Sequence, residues 1–443
     1  MNSKKIIINN IREIYKNAPV NETHQLIAKH FIPSIEEKKN KAEIPTPLSL
    51  VEEMLDKMSN DFWKSKNKVF EPCCGKGNFI MKIFEKFFNG LKEKYPDEKK
   101  RCKIIITKCL YFSDITPMNV FITSEILKCE IQSRTGNDKE LKYEFNSNVG
   151  NTLELDINKK WGFDKFDAVI GNPPYQEVDE NKKSKGGTNL YTKFINMAFH
   201  LLNKNCYLLF ITPISWLGPS KNIQTGNDLL HNIFFKYDLL YLNLNECKKY
   251  FNVGSTFSYY LIQKKITEKK LTNVVSEYKK IIVNNNIDFK KLNNLDFLPI
   301  HITQETLNLI EEITNKKHKL EIKRCRLLDT SNKSGKEHLR LKKDDKFKYI
   351  TYHTTSKTYY SDIELDIYDN IKIILNMSGY LKPELCKNCN LTESKFYIEV
   401  KNEDDGKKLI EYLNNNKIIK YLELCKYSGF NSRPVIENIS YNT

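Results

Sequence analysis

Over roughly the first 265 residues, short apolar runs of strand length alternate with longer stretches whose apolar positions recur every three or four residues. The first forty residues carry the helical period at Ile11, Ile14 and Tyr15, then at Leu26, Ile27 and His30, and are expected to form a helical cap over residues 1–43. A Thr-Pro corner at Thr46-Pro47 opens an amphipathic helix whose Leu48, Val51, Met54, Leu55 and Met58 share one face. Lys68 to Phe88 reads as a short strand, a tight glycine turn and a helix, and a second strand around Lys108 to Phe112 ends in Asp114, with a helix from Pro117. A third strand end falls within Asn148 to Ile157, and Phe166 to Ile170 is a buried strand. The helix Asn189 to Leu202 buries Leu190, Phe194, Met197, Ala198, Leu201 and Leu202, and Cys206 to Pro213 is the next strand. Two strands between Tyr237 and Lys265 are expected to finish the sheet as an edge hairpin with Phe251 at its tip. This alternation predicts an α/β fold, a doubly wound and largely parallel sheet with helices on both faces.

Composition narrows the class. With 443 residues the chain is long enough for two or three cores, and 40% hydrophobic with 28% charged residues describes an ordinary globular protein. No apolar run approaches a bilayer span and the first residues lack a signal-peptide pattern, so a cytoplasmic protein with no membrane partner is expected. A formal charge of +16 favours polyanionic partners. Eleven cysteines without a pairing pattern argue for reduced thiols; Cys386 and Cys389 alone have ligand-like spacing, and Cys325 and Cys425 could complete a zinc site with them, although no metal is assigned.

Chemistry concentrates at the predicted strand ends. Gly75 and Gly77 let backbone amides approach a ligand closely, and Glu71 lies where a carboxylate could take a hydroxyl or amino group. A connector turn is the alternative, and the absence of G-x-G-x-x-G and of a following Lys-Ser/Thr argues against nucleotide phosphates. Asp114, at the end of the second strand, can hold ribose hydroxyls, and Asn151 and Thr152 occupy the third strand end. The segment Asn172-Pro173-Pro174-Tyr175 leaves its strand in a rigid turn. There an amide oxygen, a prolyl carbonyl and an aromatic face can grip a planar group bearing an NH2: Asn172 Oδ1 and Pro173 O accept its two hydrogens while Tyr175 stacks on the ring. A plain strand-to-loop turn packed under a tyrosine is the alternative.

The order Thr46-Pro47, FEPCCGKGNF (70–79), SDITP (113–117), GNTL (150–153), GNPPY (171–175), NLYTKF (189–194), FITPISWL (210–217) and YFNVGSTFS (250–258) resembles the amino-terminal class of DNA N6-adenine methyltransferases, within it the TaqI-like branch. The resemblance covers residues 40–265 and implies a Rossmann-like fold that binds S-adenosyl-L-methionine. It implies that Gly75 and Gly77, with Pro72 and Cys73, cradle the methionine part of the cofactor, with Thr46, Phe79 and Glu71 alongside. Asp114 would take the ribose hydroxyls, Ile115 would pack on the cofactor adenine, and Asn151 stands where many relatives carry an aspartate. The target adenine would be rotated out of duplex DNA and stacked on Tyr175 and Phe251, with Asn172, Pro173 and Pro174 at its amino group.

On this reading residues 44–266 are the catalytic domain and residues 267–443 a mixed α+β target-recognition domain. Ile266 to Val283 is lysine-rich and reads as a junction, and Lys323 to Tyr360 interleaves basic and aromatic residues in a way that suits phosphate contacts and stacking. A solvated charged face is the alternative for any single lysine. The expected partner is double-stranded DNA, met as a monomer, with a cognate restriction endonuclease as a further partner. The alternatives are an RNA or protein-glutamine methyltransferase with the same tetrapeptide, or a catalytically silent nucleic-acid binder.

Overall fold

A computed structural model describes the chain except residues 1, 20–21, 33–44, 137–142, 176–188, 220–228, 246–249, 251–255, 293, 315–318, 428 and 442–443. Phe251 lies outside the described residues. The centre is a nine-stranded sheet: β1 (Val69–Glu71), β2 (Leu110–Asp114), β3 (Asn146–Val149), β4 (Phe166–Gly171), β5 (Leu202–Pro213), β6 (Asp238–Asn243), β7 (Phe257–Gln263), β8 (Leu271–Tyr278) and β9 (Ile281–Asp288). Their order across the sheet is β3-β2-β1-β4-β5-β7-β6-β8-β9, parallel from β3 to β5, with β7 antiparallel to both β5 and β6.

Successive side chains of a strand point to opposite faces, and both faces here are covered, so the central strands are apolar almost throughout. Phe70, Tyr111, Phe166, Val169, Leu208 and Phe210 pack into one core, whereas Val69, Leu110, Phe112, Ala168, Ile170, Leu209 and Ile211 pack into the other. On the second face lie α3 (Leu48–Leu55) and α4 (Asn78–Gly90), whose Val51, Met54, Ile80, Ile83, Phe84 and Phe87 are buried. The helix α5 (Pro117–Thr135) opens on a proline, which suits its first turn because the missing N–H would have had no helical partner. On the first face, α6 (Leu190–Leu201) buries Phe194, Ile195 and Ala198.

Preceding these, α1 (Asn2–Asn17) and α2 (Thr23–His30) form the helical cap. They are fastened to α5 through one buried carboxylate. Glu130 Oε2 accepts from Tyr15 Oη at 2.9 Å and lies 3.0 Å from His24 Nε2, and its Oε1 accepts from Arg134 Nε at 2.9 Å. Burial alone would push this carboxyl up; the hydrogen bond and charge of His24, joined by Arg134, hold it down at about 2.

Two sequence expectations are corrected. The strands between Tyr237 and Lys265 pair with each other antiparallel, as β6 and β7, but they do not end the sheet, because β8 and β9 continue it beyond β6. The lysine-rich stretch from Ile266 is not a plain junction: its residues form β8 and β9, which extend the same sheet through parallel pairing of β8 with β6. Of the four cysteines weighed for zinc, Cys386 and Cys389 lie with their sulfurs in contact, and among the described residues no group of three or more His, Cys, Asp or Glu side chains is placed to hold a metal.

Beyond β9 the chain is mixed α+β. The strands β10 (Leu339–Arg340), β11 (Tyr349–Tyr352), β12 (Thr358–Ser361) and β15 (Asn390–Leu391) make a four-stranded sheet. A three-stranded sheet holds β13 (Lys372–Asn376), β14 (Glu384–Cys386) and β16 (Lys395–Glu399). This part joins the first core: Leu298 N donates to Leu217 O at 2.8 Å, and Tyr421 and Leu424 are buried with Leu217 and Phe234. Among the described residues no helix is long and apolar enough to cross a membrane.

Candidate active site

The carboxyl ends of β1, β2, β3 and β4 lie side by side, and the predicted residues gather there. After Glu71 the chain turns through Pro72-Cys73-Cys74-Gly75-Lys76-Gly77 into α4. Gly75 and Gly77 have φ of 50° and 88°, the left-handed region that glycine enters without a Cβ clash. A Cβ on Gly77 would also stand 3.0 Å from Thr123 Oγ1. Neighbouring strand ends pin the turn: Cys74 N donates to Ser113 O at 2.9 Å and Gly75 N to Asp114 Oδ2 at 2.9 Å.

Asp114 is only 7% exposed, and its second oxygen accepts from Thr116 N at 2.8 Å and Asn119 Nδ2 at 3.2 Å. Burial pushes its carboxyl above the ordinary value, against these hydrogen bonds, which favour the charged form. The adjacent Ile115 is 71% exposed, an apolar side chain standing at the rim.

Glu71 is buried and its Oε2 has no hydrogen-bond partner among the described residues. Burial, and then the nearby Asp114 carboxylate, raise its carboxyl well above the usual range. A Cβ on Gly171 would lie 3.4 Å from Glu71 Cγ, so the end of β4 runs directly against this side chain. Burial, with Asp114 and Glu71 adding to it, also pushes the Cys73 and Cys74 thiols well up, which leaves them protonated and poor nucleophiles. Phe79, the second residue of α4, is buried in the core.

At the third strand end the two predicted residues part. Asn151 is exposed, its Oδ1 accepting from Leu153 N at 3.2 Å and its Nδ2 donating to Glu154 Oε1 at 2.6 Å. Thr152 is buried; its hydroxyl donates to Pro72 O at 2.7 Å and lies 2.8 Å from Ser113 Oγ, behind the glycine turn.

The Asn-Pro-Pro-Tyr turn follows β4. Asn172 Nδ2 donates to Thr46 Oγ1 at 3.1 Å, and Asn172 Oδ1 accepts from Tyr175 Oη at 2.6 Å. Thr46, 4% exposed, is itself held by Asn78, whose Nδ2 donates to Thr46 O at 2.8 Å. The amide turn is thereby joined to the first residue of α4. The Tyr175 ring leans on Phe257, with centroids 4.9 Å apart and planes at 33°.

Asn78, Phe257, Ser113, Asn119 and Thr123 also shape the site, and sequence alone does not single them out. Asn78 follows Gly77 directly, and Phe257 stands six positions after Phe251 in the same motif, so both are in view without a signal of what they touch.

Residues 108–239, from β2 to β6, match the Eco57I restriction-modification methylase family. A Mycoplasma pneumoniae protein described as an uncharacterized adenine-specific methylase is 23% identical over 294 residues, 52% of this chain and 69% of the relative. In fold the chain resembles the Type IIL restriction-modification enzyme MmeI, solved in complex with DNA, at a TM-score of 0.58 and 12% identity over 95% of this chain and 69% of that one. It also resembles the ATP-dependent Type ISP restriction-modification enzyme LlaBIII, solved bound to DNA, at a TM-score of 0.55 and 11% identity over 89% of this chain and 37% of that one. The chain has a doubly wound α/β architecture and is similar in its matched segment to a restriction-modification methylase family, in sequence to an adenine-specific methylase, and in fold to restriction-modification enzymes solved with DNA.

Proposed function

We propose that the protein is a site-specific DNA methyltransferase that places a methyl group from S-adenosyl-L-methionine on the N6 amino group of an adenine rotated out of duplex DNA. The observation that supports this reading is the link from Asn172 through Thr46 to Asn78, which ties the amide of the Asn-Pro-Pro-Tyr turn to the glycine turn at the carboxyl ends of the neighbouring strands β4 and β1. The residues fit the cofactor. An orphaned, buried carboxyl oxygen on Glu71 suits an ammonium or hydroxyl group, the left-handed glycines open the turn to close approach, and exposed Ile115 offers an apolar face to a purine. Gly75, Gly77, Thr46, Glu71, Pro72, Cys73, Phe79, Asp114, Ile115, Asn151 and Thr152 are the residues assigned to hold it.

When bound, the cofactor supplies an electrophilic sulfonium methyl group. The chain's own work is on the base. Adenine's amino lone pair is conjugated into the ring; accepting both its hydrogens at Asn172 Oδ1 and Pro173 O favours a tetrahedral nitrogen whose lone pair is available for in-line attack. No base is needed beforehand, because the nitrogen becomes strongly acidic once alkylated and then loses its proton to solvent. Pro173 and Pro174 fix the turn, and Tyr175 offers its ring to the extruded base, whose removal from the stack costs a few kcal/mol. Phe251 keeps the stacking role assigned from the sequence.

The part beyond β9 is assigned to target recognition, supported by its basic and aromatic composition and by a fold likeness to a DNA-bound enzyme over 95% of the chain. The motif order favours the TaqI-like branch, acting inside the cell as a monomer on DNA, with a cognate restriction endonuclease as a further partner. The test is long-read detection of modified adenines in DNA from cells expressing the protein or Asn172→Ala. N6-methyladenine at one DNA word with the wild type and none with the variant is expected; equal modification by both would refute the role of Asn172.

A further inference from the structure

We infer that Thr46 is a positioning residue for transfer: its hydroxyl sets which end of the Asn172 amide faces the target base. The inference rests on the methyltransferase reading given above. The terminal torsion of an asparagine has two broad wells about 180° apart, which exchange the carboxamide oxygen and nitrogen. Only one of them presents an acceptor to an incoming amino group; the other sets donor against donor.

The two partner distances identify the well. A separation of 2.6 Å between Tyr175 Oη and the Asn172 amide suits O–H···O, whereas 3.1 Å to Thr46 Oγ1 suits N–H···O. Exchanging the amide ends would place a nitrogen at the shorter distance. Nδ2 therefore points to Thr46 and Oδ1 to the tyrosine side.

Thr46 can act as a fixed acceptor because it is itself held. It is buried, it precedes Pro47, whose ring restricts the backbone of Thr46, and its carbonyl accepts from Asn78 Nδ2 at 2.8 Å. Asn78 is the first residue of α4 after left-handed Gly77. The orientation of the transfer amide is thus referred to the glycine turn rather than to the loop in which Asn172 sits. Thr46 lies 126 positions from Asn172 along the chain and joins the two walls of the site.

The experiment compares wild type, Thr46→Val, Thr46→Ser and Asn78→Asp for S-adenosylmethionine affinity by titration calorimetry and for kcat and KM on duplex DNA containing the methylated word. Thr46→Val keeps the shape of the side chain and removes the acceptor. It is expected to lower kcat, measured at saturating cofactor, by about 10- to 100-fold, a larger factor than any loss of cofactor affinity from the same change. Thr46→Ser restores the hydroxyl and recovers most of the loss. Asn78→Asp, which replaces a donor to Thr46 O with a carboxylate, lowers kcat in the same selective way. If Thr46→Val loses cofactor affinity in step with kcat, or if Thr46→Ser fails to recover, Thr46 is only a cofactor contact and the positioning role is wrong. A wild type that methylates no adenine in DNA overturns the proposed function itself, an outcome separate from equal kcat in wild type and Thr46→Val, which overturns this inference alone.

Discussion

The Tyr175 hydroxyl donates to Asn172 Oδ1 at 2.6 Å, so the oxygen assigned to the target amino group already carries a donor. An amide oxygen has two lone pairs and can accept a second hydrogen bond, but each bond it accepts weakens its pull on the other. Tyr175→Phe frees the oxygen and keeps the ring. We expect it to retain methylation and to bind a target with an unpaired adenine at least as tightly as wild type. Tyr175→Ala removes the stacking face and should weaken base capture by about 1–3 kcal/mol. Fluorescence of 2-aminopurine at the target position measures both; a Phe variant as defective as the Ala variant would show that the hydroxyl, not the ring, matters.

Glu71 holds a carboxyl that ligand-free protein satisfies poorly. A carboxyl whose folded pKa is raised takes up a proton on folding, so its unfavourable contribution grows as pH rises from 4.5 through the folded value. Glu71→Gln removes that cost, and at neutral pH the ligand-free variant should melt about 2–4 °C higher than wild type, the gain shrinking as pH falls toward 4.5. The same change should weaken S-adenosylmethionine binding. Scanning calorimetry over pH, with and without cofactor, checks both signs.

Glu130 behaves in the opposite sense. Its folded pKa of about 2 lies below the ordinary 4.5, so its stabilising contribution is full above pH 4.5 and is lost as pH falls toward 2. Glu130→Gln should cost on the order of 3 kcal/mol at neutral pH and flatten the acid loss within that window. Denaturant melts at stepped pH measure it, and limited proteolysis of the first 30 residues reports whether the helical cap is what comes loose.

Lys342 and Lys343 are exposed in the basic segment ahead of β11. If this surface meets phosphates, Lys342→Glu with Lys343→Glu weakens DNA binding to all sequences alike and lowers the slope of log K against log salt by about 0.9 for each phosphate that is no longer neutralised. An unchanged slope would place both lysines on a solvated face.

The strands β1, β2, β4 and β5 are legible because a strand buried on both faces must be apolar at consecutive positions, and Phe166 to Ile170 is nearly so, whereas polar, part-exposed β3 is marked only by the loop that follows it. The strand β8 is hidden for the converse reason. Its inward positions Thr272 and Ser276 are small and polar yet buried, their hydroxyls spent on Leu239 O and beside His301 Nδ1, while Leu271 is 51% exposed. Of its three alternate buried positions only Val274 is apolar, so the apolar alternation that marks a strand is lost in the sequence. The site divides in the same way. Glycine turns and the Asn-Pro-Pro-Tyr segment are local and carry their own geometry in sequence. The partnership of Thr46 with Asn172 spans 126 positions and exists only once α3 and β4 are packed. Thr152 likewise matches a strand-end motif, but which way its hydroxyl turns is decided by Pro72 and Ser113.

The continuation of the sheet through β8 and β9 has a mechanical result. Eight steps of about 4.8 Å set the outermost strands roughly 38 Å apart, and hydrogen bonds link each strand to the next across that width. On the proposed methyltransferase reading, this unbroken ladder holds the ends of β1 and β4, which carry the candidate site, at a fixed offset from the surface that β8 and β9 present.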